Sequence, residues 1–175
     1  MRIIVIEDNE LYKNELLQCL EQEESDIEIV GSASNGAEGL ALTEKLIRDN
    51  LTPDVIFTDV RMPEVDGFEM IEALQGRGIS CKIVVTSSCP EFLYAKRAME
   101  LGAVDFLVKP LKVYEVRNVL GRLRRELESE KKWKHILNLE YIFLNAMAGK
   151  IKDDQQIGDL IKEGYGIAPE ERIGV

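Results

Sequence analysis

The sequence is poor in the residues that build metal clusters, disulfide frameworks and membrane spans. Its three cysteines, Cys19, Cys81 and Cys89, form no CxxC pair, and His135 is the only histidine. That pattern argues against a zinc site or a disulfide scaffold, and the thiols read as small buried residues in a reducing compartment. No apolar run approaches the ~20 residues that a membrane-spanning helix needs. The opening Met1-Arg2-Ile3-Ile4-Val5 is also too short for the apolar core of a signal segment. A cytoplasmic location is therefore expected. Positive charge is scarce too: 22 Lys and Arg against 32 Asp and Glu leave a net charge of −10. Such a balance argues against this chain gripping nucleic acid by itself, because phosphate contacts need a basic surface. There is no internal repeat and no low-complexity tract.

What is present is ordinary globular composition, 45% apolar and 31% charged over 175 residues, enough for one full core with residues to spare. The stretch from Val55 to Gly67 organises the rest. Val55-Ile56-Phe57-Thr58 reads as a strand buried on both faces. It stops on the carboxylate of Asp59 and breaks into a loop holding Pro63 and Asp66-Gly67. Asp59 could merely end the strand or cap a helix, so the other strand ends decide what it does.

Arg2 to Ile6 is a second apolar run and ends in Glu7-Asp8-Asn9. Asn9 can cap a helix whose buried face carries Leu11, Leu16, Leu17 and Leu20. Ile27 to Gly31 alternates, as a strand nearer the sheet edge does. Asn35 with Glu38 three residues on reads as a helix start, and the helix runs to Asn50 before Pro53. Asp66 and Glu69 form another capping pair, and Gly76 and Gly78 end that helix. Cys81 to Thr86 is a fourth strand delivering Thr86, Ser87 and Ser88. Pro90 can open the next helix, which carries Phe92, Leu93, Ala95, Met99 and Leu101 and closes at Gly102. Ala103 to Val108 is the fifth strand and ends on Lys109-Pro110, ahead of a helix from about Lys112. Strands alternating with helices predict an α/β fold: a five-stranded parallel sheet, doubly wound, with right-handed crossovers.

Ligands of such sheets collect outside the carboxyl ends of the strands. Those ends supply Glu7, Asp8, Asp59, Thr86 or Ser87, and Lys109. Carboxylates crowded at a partly buried site repel one another and stay ionised only with a cation among them. Hard oxygen donors with open positions suit Mg²⁺. The chemistry this implies is acceptance of a phosphoryl group by a carboxylate.

On these residues the chain resembles the receiver domain of two-component response regulators. The likeness is carried by Val5-Ile6-Glu7-Asp8-Asn9, by Thr58-Asp59-Val60-Arg61-Met62-Pro63 with Asp66-Gly67, by Ser87, and by Gly102 to Pro110. It covers roughly residues 1–125 and implies a flavodoxin-like receiver fold. It makes Asp59 the phosphoacceptor, with Asp8 and Asp59 binding Mg²⁺ directly, Glu7 through water, and Arg61 through its backbone carbonyl. Lys109 would contact the phosphoryl group and precede a cis proline. Ser87 would be the switch hydroxyl, with Thr86 as second choice, and Phe106 the aromatic that turns inward. Glu7 stands where an aspartate is commoner, and Ser88-Cys89-Pro90 is less usual after the switch position. The partner implied is a sensor histidine kinase, and the protein would act as a signalling phosphoacceptor, not a metabolic enzyme. Receiver domains commonly dimerise through the surface formed here by the Glu91–Leu101 helix, the last strand and the final helix. That surface mixes Lys96, Arg97, Arg117 and Arg122 with Glu100, Asp105 and Glu115. An ordinary solvated face reads equally well. A true aspartate-nucleophile phosphatase would want an acid where Arg61 stands.

Beyond residue 125, apolar residues continue at heptad-compatible spacing through Leu127, Leu137, Tyr141 and Leu144, interrupted by Glu130 and Lys134. We expect a continuous or kinked helical linker over 126–150, a possible coiled coil. The competing reading ends the receiver helix near Glu130 and starts another from Trp133 to Ala148. Residues 151–175 read as a short helical tail at the start of a further, missing region. The layout resembles the amino-terminal part of regulators with an AraC-type DNA-binding domain, which would place transcription control and DNA contact in the missing part. The alternative is a stand-alone receiver that binds a protein partner.

Overall fold

The computed structural model describes residues 1–22 and 26–147. Five strands and five helices alternate: β1 (Arg2–Ile6), α1 (Glu10–Glu21), β2 (Glu28–Ala33), α2 (Gly36–Arg48), β3 (Val55–Asp59), α3 (Gly67–Gly76), β4 (Lys82–Ser87), α4 (Phe92–Glu100), β5 (Asp105–Val108) and α5 (Val113–Met147). The strands form one parallel sheet in the order β2-β1-β3-β4-β5. Helices on both faces explain why β1 and β3 are continuous apolar runs: no residue from Ile3 to Ile6 or from Val55 to Phe57 exceeds 1% exposure. The order reverses between β1 and β3, which sets the ends of these two strands at the crevice where ligands bind in doubly wound sheets.

Helix starts follow the capping residues. The Asn9 side chain accepts from the amides of Leu11 and Tyr12, and Asn35 from that of Glu38. Asp66 and Glu69 cap each other's backbone in a complete capping box. Several boundaries and faces differ from the sequence reading. β2 begins at Glu28 and runs on to Ala33. Pro90 precedes the cap residue Glu91 and does not occupy the first helical turn. Leu11 is exposed because its position next to the cap turns it to solvent, so the buried face of α1 is Leu16, Cys19 and Leu20. On α4 only Ala98 is buried, and Phe92, Leu93 and Met99 face solvent.

The chain divides into two compact units, Met1–Arg124 and Arg125–Val175. In the first, α5 buries Val116, Val119, Leu120 and Leu123. In the second, the described part of α5 exposes Trp133, Leu137, Tyr141 and Leu144. The stretch from 113 to 147 is one helix, with no break near Glu130. The expected tail over 151–175 lies outside the described residues. Among the described residues, no helix is long and apolar enough to cross a membrane.

Candidate phosphoryl-transfer site

The carboxyl ends of β1, β3, β4 and β5 meet at one edge. Glu7 and Asp8 follow β1, Asp59 ends β3, Ser87 ends β4 and Lys109 follows β5. The backbone knits these ends together. The amide of Lys109 donates to Ser87 O at 2.9 Å, and that of Val60 to Thr86 O at 3.1 Å. The Lys109–Pro110 peptide is cis. Gly67 is required by close approach, since a Cβ there would lie 2.1 Å from the carbonyl oxygen of Asp59.

The charged groups form one buried cluster. Lys109 Nζ lies 2.5 Å from Glu7 Oε2 and 2.9 Å from Asp59 Oδ2, with its side chain only 2% exposed. The other Asp59 oxygen accepts from the Val60 amide at 2.7 Å. Glu7 Oε1 accepts from the Asn9 amide at 3.3 Å. Burial holds the Glu7 carboxyl above its usual range; the Lys109 hydrogen bond pulls against this, and the Asp59 charge adds to it. Carboxylate oxygens of Glu7, Asp8 and Asp59 lie within 4.8 Å of one another, with Asp8 exposed. Three hard oxygen donors, one open to solvent, fit a divalent cation such as Mg²⁺.

These carboxylates open on a cleft of about 310 Å³, which Tyr12, Arg61, Ser87 and Cys89 also line. The two hydroxyls are separated clearly. Ser87 lines the cleft and its Oγ accepts from the Cys89 amide at 3.1 Å. Thr86 is buried with its hydroxyl directed to Thr58 O at 3.4 Å. Phe106 is half-buried and packs against the main core cluster. Glu7, Asp8, Asp59, Arg61, Ser87 and Lys109 thus gather at one strand edge, whereas Phe106 lines a separate cavity with Leu107 and Lys112.

Two contacts went unread in the sequence. The Tyr12 ring lies beside Lys109, with Nζ 4.6 Å from its centroid. The Arg61 side chain reaches α4, where Nε donates to the Tyr94 hydroxyl at 3.0 Å and Nη2 donates to the same oxygen. Tyr12 stands four residues after Asp8, where the first turn of a helix opening at a strand end comes back over that end. That spacing was the available signal. For Tyr94, 33 residues from Arg61, there was none.

On the outer faces, charges expected on the α4-β5-α5 surface find partners within the chain. Lys96 pairs with Glu100 at 3.7 Å, Lys112 with Glu115 at 3.2 Å, Arg97 with Glu72, and Arg122 with Asp105.

Comparison with known proteins agrees with this fold. A family model described as response regulator receiver domain matches residues 3–120. The transcriptional regulatory protein BtsR of Escherichia coli K12 is 36% identical over 126 residues, covering 72% of this chain and 49% of BtsR. The chain therefore spans about half the length of that relative. Among solved structures, the response regulatory domain of mrkE from Klebsiella pneumoniae is 30% identical with a TM-score of 0.63, covering 74% of this chain and 99% of that one. The REC domain of AraT from Geobacillus stearothermophilus is 27% identical with a TM-score of 0.64, covering 74% and 96%. A family model matching about two thirds of the sequence, together with these relatives, gives the assignment: the chain belongs to the response regulator receiver domain family.

Proposed function

We propose that this chain is the phosphorylatable switch of a two-component response regulator, with Asp59 as acceptor. In the transfer, an oxygen of the Asp59 carboxylate forms a bond to phosphorus while the phosphorus–nitrogen bond of a phosphohistidine on a sensor kinase breaks. The imidazole, protonated on its other nitrogen, leaves as a neutral ring with the electron pair of that bond. The observation that carries this reading is the cluster itself: Asp59 held by Lys109 and the Val60 amide, with Glu7 and Asp8 beside it. Asp8 and Asp59 would hold Mg²⁺ directly, Glu7 through water, and Arg61 by its backbone carbonyl. Bound there, the ion would neutralise charge on the phosphoryl oxygens. Lys109 keeps its ammonium at the acceptor oxygen and follows the phosphoryl group once Asp59 carries it.

The phosphoryl group brings up to about two negative charges and strong acceptor oxygens to the cleft. Ser87 moves its hydroxyl towards them, and Phe106 follows into the vacated space. The resulting population shift repacks the α4-β5-α5 surface. Homodimerisation is the expected response, supported by the exposed Phe92, Leu93 and Met99 of α4 and the exposed apolar side chains along α5. The output is transcription through a DNA-binding region outside this chain, of AraC type, working in the cytoplasm. Support for a transcriptional output comes from relatives such as BtsR, whose name gives it that role.

The test is intact mass after incubation with acetyl phosphate and Mg²⁺, run with Asp59→Asn and followed by a sizing column. A labile gain of one phosphoryl group in the parent alone is expected, with a shift towards dimer. A folded parent that takes up no phosphoryl group would leave a constitutive binding module instead.

A further inference from the structure

Lys109 has to do two things in succession on the reading just given, on which this inference rests. It must neutralise a buried carboxylate before transfer and then follow the negative charge outward onto the phosphoryl oxygens. Directional hydrogen bonds to Glu7 and Asp59 suit the first task and hinder the second. The remaining neighbour the structure gives this ammonium is the Tyr12 ring, 4.6 Å from Nζ. An aromatic face attracts a cation through its quadrupole without demanding one hydrogen-bond direction, and the attraction grows when water is excluded. Water is excluded here, since the Lys109 side chain is 2% exposed. Tyr12 also lines the cleft into which the phosphoryl group would enter, so it borders both the ammonium and the entry side of the site. It is fixed from the helix side: its amide donates to the Asn9 cap at 3.4 Å, and Asn9 in turn donates its own amide to Glu7.

We infer that Tyr12 is a positioning residue for phosphoryl transfer: its ring face, not its hydroxyl, holds the Lys109 ammonium in line between the Asp59 carboxylate and the incoming phosphoryl group. The strength of a cation–π contact, from an exposed to a desolvated site, corresponds to roughly a three- to thirty-fold change in rate. Tyr12→Leu removes the ring and keeps apolar bulk, whereas Tyr12→Phe keeps the ring and removes the hydroxyl.

Two readouts on the full chain test this. The first is the rate of phosphoryl gain from acetyl phosphate at saturating Mg²⁺, followed by intact mass. The second needs no phosphoryl chemistry: the ¹H–¹³C signal of the Lys109 ε-methylene, which a neighbouring ring shifts upfield. Tyr12→Leu is expected to slow phosphoryl gain by the stated factor and return the ε-methylene to an ordinary lysine position, with Tyr12→Phe rescuing both. The inference is overturned if Tyr12→Leu keeps the parent rate, if Phe is as slow as Leu, or if the parent signal is unshifted. A shifted Lys109 signal in a parent that gains no phosphoryl group would mean that the contact exists but the phosphoacceptor reading fails, and the positioning role with it.

Discussion

Lys109 Nζ sits 2.5 Å from Glu7 and 2.9 Å from Asp59, so one ammonium bridges carboxylates delivered by two paired strands. Crowded acids at this edge call for a cation, and the fold supplies one from its own chain. Removing it by Lys109→Met leaves two buried carboxylates facing each other. Breaking a buried pair from one side costs about 3–5 kcal/mol, less whatever is recovered when a carboxyl takes up a proton. Urea unfolding in chelator should therefore show a large loss for the variant. Added Mg²⁺ should restore more stability to Lys109→Met than to the parent; equal stability of the two in chelator would contradict the bridging role.

Gly67 is the position where the loop after β3 passes closest to the acceptor. An added Cβ would meet Asp59 O at 2.1 Å, and a backbone atom cannot swing away as a side-chain tip does. The Gly67 amide also donates to Val60 O at 3.0 Å, fixing the same turn. Gly67→Ala should cost about 1–3 kcal/mol in overpacking and displace Asp59. Thermal unfolding and a Mg²⁺ titration check both parts; the variant should melt lower and bind the ion more weakly.

How much of this was legible follows from how local each signal is. The strands of the core announced themselves because both faces are covered, so β1 and β3 had to be continuous apolar runs. The acids and the lysine were legible because they end those runs, and the sheet carries strand ends to one edge. Between Thr86 and Ser87 the sequence favoured Ser87, but the direction of one residue at a strand end depends on pleat and register, which sequence does not carry: Asp59 pairs with Thr86, and Ser87 with Val108. The exposure of α4 was not legible either. Phe92, Leu93 and Met99 look like core in sequence, yet only Ala98 of that short helix is buried.

That difference is measurable. Phe92 and Leu93 are 78% and 70% exposed, whereas Ala98 is fully buried. Replacing Phe92 or Leu93 by Ser should change stability by no more than ~0.5 kcal/mol, as at an ordinary surface site. Ala98→Val adds volume to a packed site and should cost about 1–3 kcal/mol. Chemical denaturation of the three variants checks the ordering; a large loss from Phe92→Ser would mean that α4 packs the other way.

Asp26 and Arg124 join the turn before β2 to α5 through two hydrogen bonds, at 2.8 and 3.0 Å. The hydrogen bond from Arg124 holds the Asp26 carboxyl below its usual value. The stabilisation is therefore fully present above the unfolded value, near ~4 for an aspartate, and is lost as pH falls through the lower folded value. With side chains 26% and 49% exposed, solvent screens the pair to about 0.2–1 kcal/mol. Asp26→Asn should show that deficit at pH 7 and lose it under acid conditions. A deficit that does not shrink as pH is lowered would point to packing, not charge.

Among the described residues, the burial of α5 ends well before the helix does. Leu123 is the last buried residue of the described α5, and Leu127 is only half-buried. From Glu128 to Leu137 every residue is exposed, and Tyr141, Leu144 and Met147 follow with apolar side chains in solvent. Those residues cannot add to the receiver's hydrophobic stabilisation, which scales with area removed from water. Replacing Leu137, Tyr141 or Leu144 by Ser should therefore change stability by no more than ~0.5 kcal/mol, as at an ordinary surface site. Those variants should also take up a phosphoryl group at the parent rate, because every candidate site residue lies before Leu123. Trp133, the only tryptophan, is 62% exposed, so its emission in the dilute full chain should be that of a solvated indole and should not report the receiver's unfolding. A large loss on chemical denaturation of any of these Ser variants would mean that these side chains are packed against apolar surface and not in solvent.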